Sequence, residues 1–188
     1  RSYRWRQRFL ENPIHVYPSV LLQRSVDVEK SGVMITHGLD VTGSDDIVIA
    51  FNRGVGGAVG GQVAETVLLR HDGIDVLLSP ARETVFTHLP KSGGVARGAA
   101  SFEAPIVTRA ERGALRRAAS EILTQMRSSG LQGALDIELG FLDGDIWLFQ
   151  VRPFVENERA RASAYLQSLD PVQTEDIRVA MDERFDGE

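Results

Sequence analysis

Residues 134–153 constrain the fold more than any other stretch of the chain. Segments 134–139 and 146–151 each read as a short strand, with Asp143-Gly144 as turn residues between them and Pro153 closing the second. Side chains two apart on a strand share a face. Asp136 and Glu138 therefore point one way, and Gln150 and Arg152 point one way. Two registers compete. A two-residue Asp143-Gly144 turn would pair Glu138 with Phe149 and mix polar and apolar side chains on both faces. A three-residue loop, Leu142-Asp143-Gly144, puts Gly144 at the left-handed position of a bulged turn. It pairs Asp136 with Gln150 and Glu138 with Leu148. One face then holds Leu135, Ile137, Leu139, Phe141, Trp147, Phe149 and Val151. The other holds Asp136, Glu138, Gln150 and Arg152, with Ile146 and Leu148. The wholly apolar first face favours the three-residue loop, because a one-residue slip would turn a core face outward.

A long helix is the second firm expectation. Thr108 and Glu111 have the spacing of a capping box, in which each side chain satisfies a backbone amide at the helix start. Leu115, Ala119, Ile122, Leu123 and Met126 follow at helical spacing over 109–128, and Gly130 stands where a C-terminal cap belongs. Further strands are expected over 20–26, 32–36, 46–51, 63–69 and 74–78, with turns at 42–45 and 71–73. Helices are expected over 2–12, where Tyr3, Trp5 and Phe9 are the apolar members, and over 155–169 and 174–185, parted by Pro171. There is no internal repeat. The pattern is that of an α+β protein.

Composition narrows the function. The chain has 188 residues, 43% hydrophobic and 25% charged, which is enough to bury a sizeable core and argues against disorder. Its net charge of −5 argues against a broad nucleic-acid surface. Arg1, Arg4, Arg6 and Arg8 interleave with Tyr3 and Trp5, but a solvated helix face suits that acidic total better. Cysteine is absent, which excludes disulfides, thiolate metal sites and thiol nucleophiles. No apolar run approaches the ~20 residues of a membrane helix. The chain starts at Arg1 without a signal peptide, and is expected to be part of a longer cytoplasmic protein.

Two stretches carry possible chemistry. Residues 54–61 hold five glycines in a loop after a strand, but neither G-x-G-x-x-G nor the P-loop spacing occurs. Glycine lets backbone N–H groups approach a phosphate closely; a tight turn without a ligand has the same composition. His15, His37, His71 and His88 have no metal-ligand spacing. The polar hairpin face is more telling. A carboxylate and an amide oxygen on adjacent strands are hard ligands suited to Mg²⁺, and an arginine beside them can neutralise phosphate charge. The alternative is a solvated face on which Asp136 and Glu138 pair with Arg152.

The order of Ser31-Gly32-Val33-Met34, Val41-Thr42-Gly43, the Asn-x-Gly-x-Gly run from Asn52 to Gly56, Asp136-Ile137-Glu138 and Gln150-Val151-Arg152-Pro153 resembles a family. It is similar to the nucleotide-binding domain of phosphoenolpyruvate synthase and pyruvate, phosphate dikinase, shared by rifampicin phosphotransferases and glucan, water dikinases. The likeness runs from about residue 2 to residue 154, and its last two motifs are more specific than the glycine loop. It implies an ATP-grasp fold, in which two subdomains clamp ATP. This chain would supply the C-terminal subdomain over 1–154, a mixed, mainly antiparallel sheet packed with helices. A hinge strand near 19–26 would open it, and 155–188 would form a helical extension.

The resemblance implies ATP and Mg²⁺ as ligands. Glu138 and Gln150 match metal-binding positions, Arg152 a phosphate contact and Asp136 a further active-site acid. Gln23, Thr36, Gly54, Gly56 and Gly57 match the nucleotide-binding part. The N-terminal subdomain, with its ATP-binding Lys and Arg, would lie upstream of Arg1 and is the implied partner; no nucleic acid or membrane is. In synthase and dikinase members the phosphoryl group passes to a histidine elsewhere, whereas the last histidine here is His88. Two departures stand out. Gly57 occupies the place of an acid, and Thr36-His37-Gly38-Leu39 replaces Thr-Arg-Asp-Pro. They support a second reading, a non-catalytic nucleotide-binding or regulatory module of the same fold.

Overall fold

Alternation of apolar residues builds a six-stranded antiparallel sheet. In the computed structural model the residues described are 20, 22–38, 45–57, 62–155 and 163–167. The strands are β1 (Lys30–Ile35), β2 (Ile47–Arg53), β3 (Glu65–Leu69), β4 (Asp75–Ser79), β7 (Leu135–Leu142) and β8 (Asp145–Pro153), in the order β4-β3-β2-β1-β7-β8. A separate hairpin, β5 (Val85–His88) with β6 (Ala96–Ala99), joins the end of β2 through a bridge from Gly54 to Thr87. The long helix α1 is Arg109–Ser128, and a short α2 is Ala164–Gln167. The chain is thus α+β with mainly antiparallel pairing.

Registration of the strands explains the core. Met34 lies opposite both Ile49 and Ile137, and Gly32 opposite Phe51 and Leu139. Ile49 faces Val67, and Ile47 faces Leu69. These residues, with Leu135 and Phe141, form one buried cluster with Leu115 and Ala119 of α1 and with Ile106 and Val107 ahead of it. Even-numbered β1 residues therefore face α1. The odd ones, Ser31, Val33 and Ile35, face the other side with Ala50, Asn52, Glu138 and Asp136, and none of these belongs to the cluster.

Polar ties fix α1 on its face. Glu65, 8% exposed, accepts the amides of Ile106 and Val107 at 3.0 and 3.1 Å. Lys30 donates to the Ile106 carbonyl at 2.7 Å and to Glu111 at 2.9 Å. Arg112 and Arg116 both hold Asp75 of β4. The expected capping box is present, with Thr108 and Glu111 in reciprocal contact. At the other end Gly130, at φ 88°, donates to Arg127, and Leu131 donates to Met126. That is the pair of bonds that closes a helix on a left-handed glycine.

Several expectations are corrected. No strand forms at the described residues of 20–26, the expected hinge. Residues 22–28 have no regular structure, and Val20 and Leu22 are exposed. Apolar residues without a cross-strand neighbour have no reason to extend. The β5–β6 hairpin was not anticipated: Val85, Thr87 and His88 lie in a polar stretch without clear alternation. The helices over 2–12 and 174–185, the turn residues 42–44 and most of 155–169 lie outside the described residues.

The hairpin register is the most instructive correction. The turn has two residues, Asp143 and Gly144, with φ of 54° and 83°, the signature of a tight hairpin turn. Leu142 pairs with Asp145, Phe141 with Ile146 and Leu139 with Leu148. The ladder then shifts, so that Glu138 pairs with Gln150 and Asp136 with Arg152. Phe149 is the extra residue of a bulge in β8. The three-residue loop is therefore absent, yet the four polar residues still share a face. Ile146 turns to the core instead of the polar face, Trp147 to the polar side, and Phe149 leaves the core.

Candidate functional site on the open face of the sheet

Asp136, Glu138, Gln150 and Arg152 come together as two directly opposed pairs on adjacent strands. Opposed side chains on such strands have Cβ atoms about 5 Å apart, close enough to share one ion or one phosphate. Arg152 donates from Nε and Nη2 to Asp136 at 2.9 and 2.8 Å. That hydrogen bond, then the charge of Asp136, and then that of Glu138, hold the guanidinium more firmly in its charged form than usual. Arg152 is half exposed, so in water this ion pair stabilises the fold little. Its value lies in aiming the guanidinium. The side chains of Glu138 and Gln150 make no hydrogen bond to a described residue, so their oxygens are available.

Beside Glu138 lies a small cavity of about 130 Å³, lined by Val26, Val28, Ser31, Val55, Gly56 and Phe149 among others. Sequence reasoning missed its apolar members. Phe149 reaches it only through the bulge, Val26 ends the segment expected to be a strand, and Val28 lies two residues beyond it. The alternation of Val26 and Val28 around Asp27 was the available signal.

Ser31 organises the glycine loop. Its hydroxyl donates to the Gly54 carbonyl at 2.7 Å and accepts the Gly56 amide at 3.1 Å. The Gly54 amide donates to Glu29 at 2.7 Å and the Val55 amide to Thr87 at 2.9 Å. The amides of Gly54, Val55 and Gly56 are thus engaged within the protein. Gly56 still reaches the cavity as part of its wall. Gly57 answers to packing. A Cβ there would lie 2.4 Å from Cβ of Asn52 and 2.9 Å from its Cγ. Asn52 is fully buried, donates to the Val63 carbonyl at 3.3 Å, and leaves Oδ1 without a partner. An acid at position 57 would require Asn52 to move.

Of the five residues expected at the nucleotide only Gly56 lines this cavity; Gly54, Gly57, Thr36 and Gln23 do not. Thr36 follows β1 on the helix side of the sheet. Its hydroxyl accepts the Leu135 amide at 2.9 Å, and it lines a different cavity. Gln23 is exposed and is not part of the lining beside Glu138.

The donor set fits Mg²⁺: one carboxylate and one amide oxygen, both hard ligands, on adjacent strands. Among the described residues no group of three or more His, Asp or Glu side chains forms a cage for a metal ion. An ion held here would complete its shell with oxygens from water or a ligand. No described helix is long and apolar enough to cross a membrane. No family model matches the chain, and no curated protein matches its sequence.

Proposed function

We propose that the chain is the ATP- and Mg²⁺-binding C-terminal half of an ATP-grasp domain in a cytoplasmic, dikinase-type phosphotransferase. One observation carries this reading: Glu138 with Gln150, and Asp136 with Arg152, stand opposed on the face of the sheet that α1 does not cover, next to an apolar cavity. Glu138 and Gln150 would hold Mg²⁺ together with phosphate oxygens. The bound ion supplies neutralisation of the charge on the transferred phosphoryl group. Arg152 neutralises charge from the protein side, and Asp136 is its positioning residue. Val28, Val55 and Phe149 offer a flat apolar ring the surface that adenine prefers. Phosphoryl transfer needs stabilisation from several sides at once, so this half alone binds and does not turn over.

A second reading, a nucleotide-binding module without turnover, is favoured by Gly57, since Asn52 occupies the space an acid would need. Amide spectra of the chain titrated with ATP in the presence and absence of Mg²⁺ test both. The expected result is Mg²⁺-dependent binding at about millimolar affinity, with shifts at Val28, Gly56, Glu138 and Gln150. Glu138→Gln should abolish the Mg²⁺-dependent part and leave the fold intact. Binding indifferent to Mg²⁺ and to Glu138→Gln rejects the metal role. Retained binding without turnover, once the chain is joined to its N-terminal half, selects the second reading.

A further inference from the structure

A larger cavity, of about 460 Å³, lies on the helix side of the sheet, between α1 and the ends of β1, β2 and β3. Its floor is apolar: Ile47, Leu69 and Ala119 are buried members of the core, and Leu123 packs against them. Its rim is basic. Arg116, Ser120, Thr124 and Arg127 all line it, at helical intervals that place them along one stripe of α1. Arg70 joins them from the end of β3, and Asp45 is the carboxylate on the rim.

The arginines differ in availability. Arg116 holds Asp75 and the Arg70 carbonyl, and Arg70 pairs with Asp72 at 3.2 Å. Arg127 forms no ion pair with a described residue. Three guanidinium groups around one cavity stand out in a chain whose net charge is −5. A cation next to an apolar floor attracts an anion more strongly than one in open water, because the local dielectric is lower. The volume falls within the ~300–1,000 Å³ of small-molecule sites, where an apolar wall binds the body of a ligand and a few polar groups fix its orientation.

We propose that this cavity binds a small organic anion. Its apolar body rests on Ile47, Leu69 and Leu123, and its phosphate or carboxylate group meets Arg127, with Ser120 donating a hydrogen bond. The cavity lies across the sheet from Glu138 and Arg152, so the proposal stands independently of nucleotide binding there.

The test uses phenyl phosphate and benzoate as anionic probes and benzyl alcohol as the neutral control, titrated into the full chain and followed by backbone amide spectra. Either anion should give saturable shifts at His71, Thr124 and Gly133. Benzyl alcohol should bind about tenfold more weakly or not at all, and Arg127→Ala should weaken the better anion about tenfold. Arg127 is exposed, so its removal leaves the fold intact; the unchanged spectrum of the unliganded variant verifies this. Leu123→Trp, which fills the floor, should abolish binding. A preference for phenyl phosphate assigns a phosphate ester to the site, and a preference for benzoate a carboxylic acid. Equal binding of benzyl alcohol, an unchanged affinity in Arg127→Ala, or shifts confined to residues 136–152 would overturn the proposal.

Discussion

Glu65 and Glu138 are both strand glutamates in the same sheet, and they stand on opposite faces. Glu65 looks toward α1 and is 8% exposed, and each of its oxygens accepts a backbone amide. Glu138 looks away from α1, is half-buried, and its side chain makes no hydrogen bond to a described residue. The first carboxylate is consumed by structure: it closes the loop that leads into the helix. The second has unused acceptor capacity beside a cavity. Residue type and secondary structure are the same in both, so neither tells the two apart. What separates them is which side of the sheet the helix chose.

The largest expected effects belong to the helix face. Phe51 is fully buried, packs near the ring of Phe141 at 5.9 Å, and stands opposite Gly32 in the centre of the cluster. Phe51→Ala should lower stability by about 3–5 kcal/mol in urea unfolding, from lost burial plus the cavity left behind. On the open face, Val48→Ala should lower it by under about 1 kcal/mol. A loss from Val48→Ala as large as from Phe51→Ala would mean that the open face is a second core, and the contrast between the faces would fall.

Glu65→Gln comes next. The change is nearly isosteric, but it places an NH₂ group against one of two backbone donors and removes the charge from the other bond. The expected loss is about 2–3 kcal/mol, that of a buried charged hydrogen bond with a donor left unsatisfied. Hydrogen exchange at Ile106 and Val107 should speed up together with it.

Acid should act on the helix face as well. Burial pushes the carboxyl of Asp75 up, but hydrogen bonds and charge from Arg116 and Arg112 outweigh it and bring it below its ordinary value. Burial likewise pushes Glu111 up, and Lys30 and Thr108 bring it down further than that. A carboxyl depressed in the folded state stabilises fully above its unfolded value, near about pH 4. That stability is lost as pH falls through the folded value. The urea midpoint should therefore hold level to about pH 5 and then decline. Asp75→Asn should decline less between about pH 4 and pH 2 than the parent does, and an equal slope would mean that the ties to α1 contribute nothing.

What was legible in the sequence follows the range of the interactions. The α1 boundaries, its capping box and Gly130 were legible because helix termini are decided within a few residues. Five strands, β1 to β4 and β8, were found to within two residues at each end, because apolar runs bounded by turn residues mark them. That Asp136, Glu138, Gln150 and Arg152 share a face was legible too. Their pairing was not. The bulge at Phe149 lets a tight Asp143-Gly144 turn and a polar face coexist, and continuous alternation cannot express an extra residue. Thr36 was assigned to the nucleotide by resemblance, yet it follows the helix-facing parity of β1, and its hydroxyl serves the Leu135 amide. The β5–β6 hairpin was invisible because its anchors are distant in sequence. Asp27 accepts the Leu89 amide at 2.6 Å, and Glu83 binds Arg53 at 3.0 Å.

Glu138→Gln should have the smallest effect on stability, and its comparison with Glu65→Gln is the sharpest test of the two faces. The substitution is the same, on two strands of one sheet with β1 and β2 between them. Glu138 accepts nothing from a described donor, so the amide leaves no backbone group unpaired. Arg152 keeps its two bonds to Asp136 and loses only the more distant charge of Glu138. The expected change in unfolding free energy is within about 0.5 kcal/mol. A small gain would sharpen the contrast further. Asp136 and Glu138 lie two apart on one strand face, and removing one of two like charges relieves their repulsion. A loss as large as that of Glu65→Gln would show that Glu138 is held by the fold, and would withdraw its carboxylate from any role as a ligand.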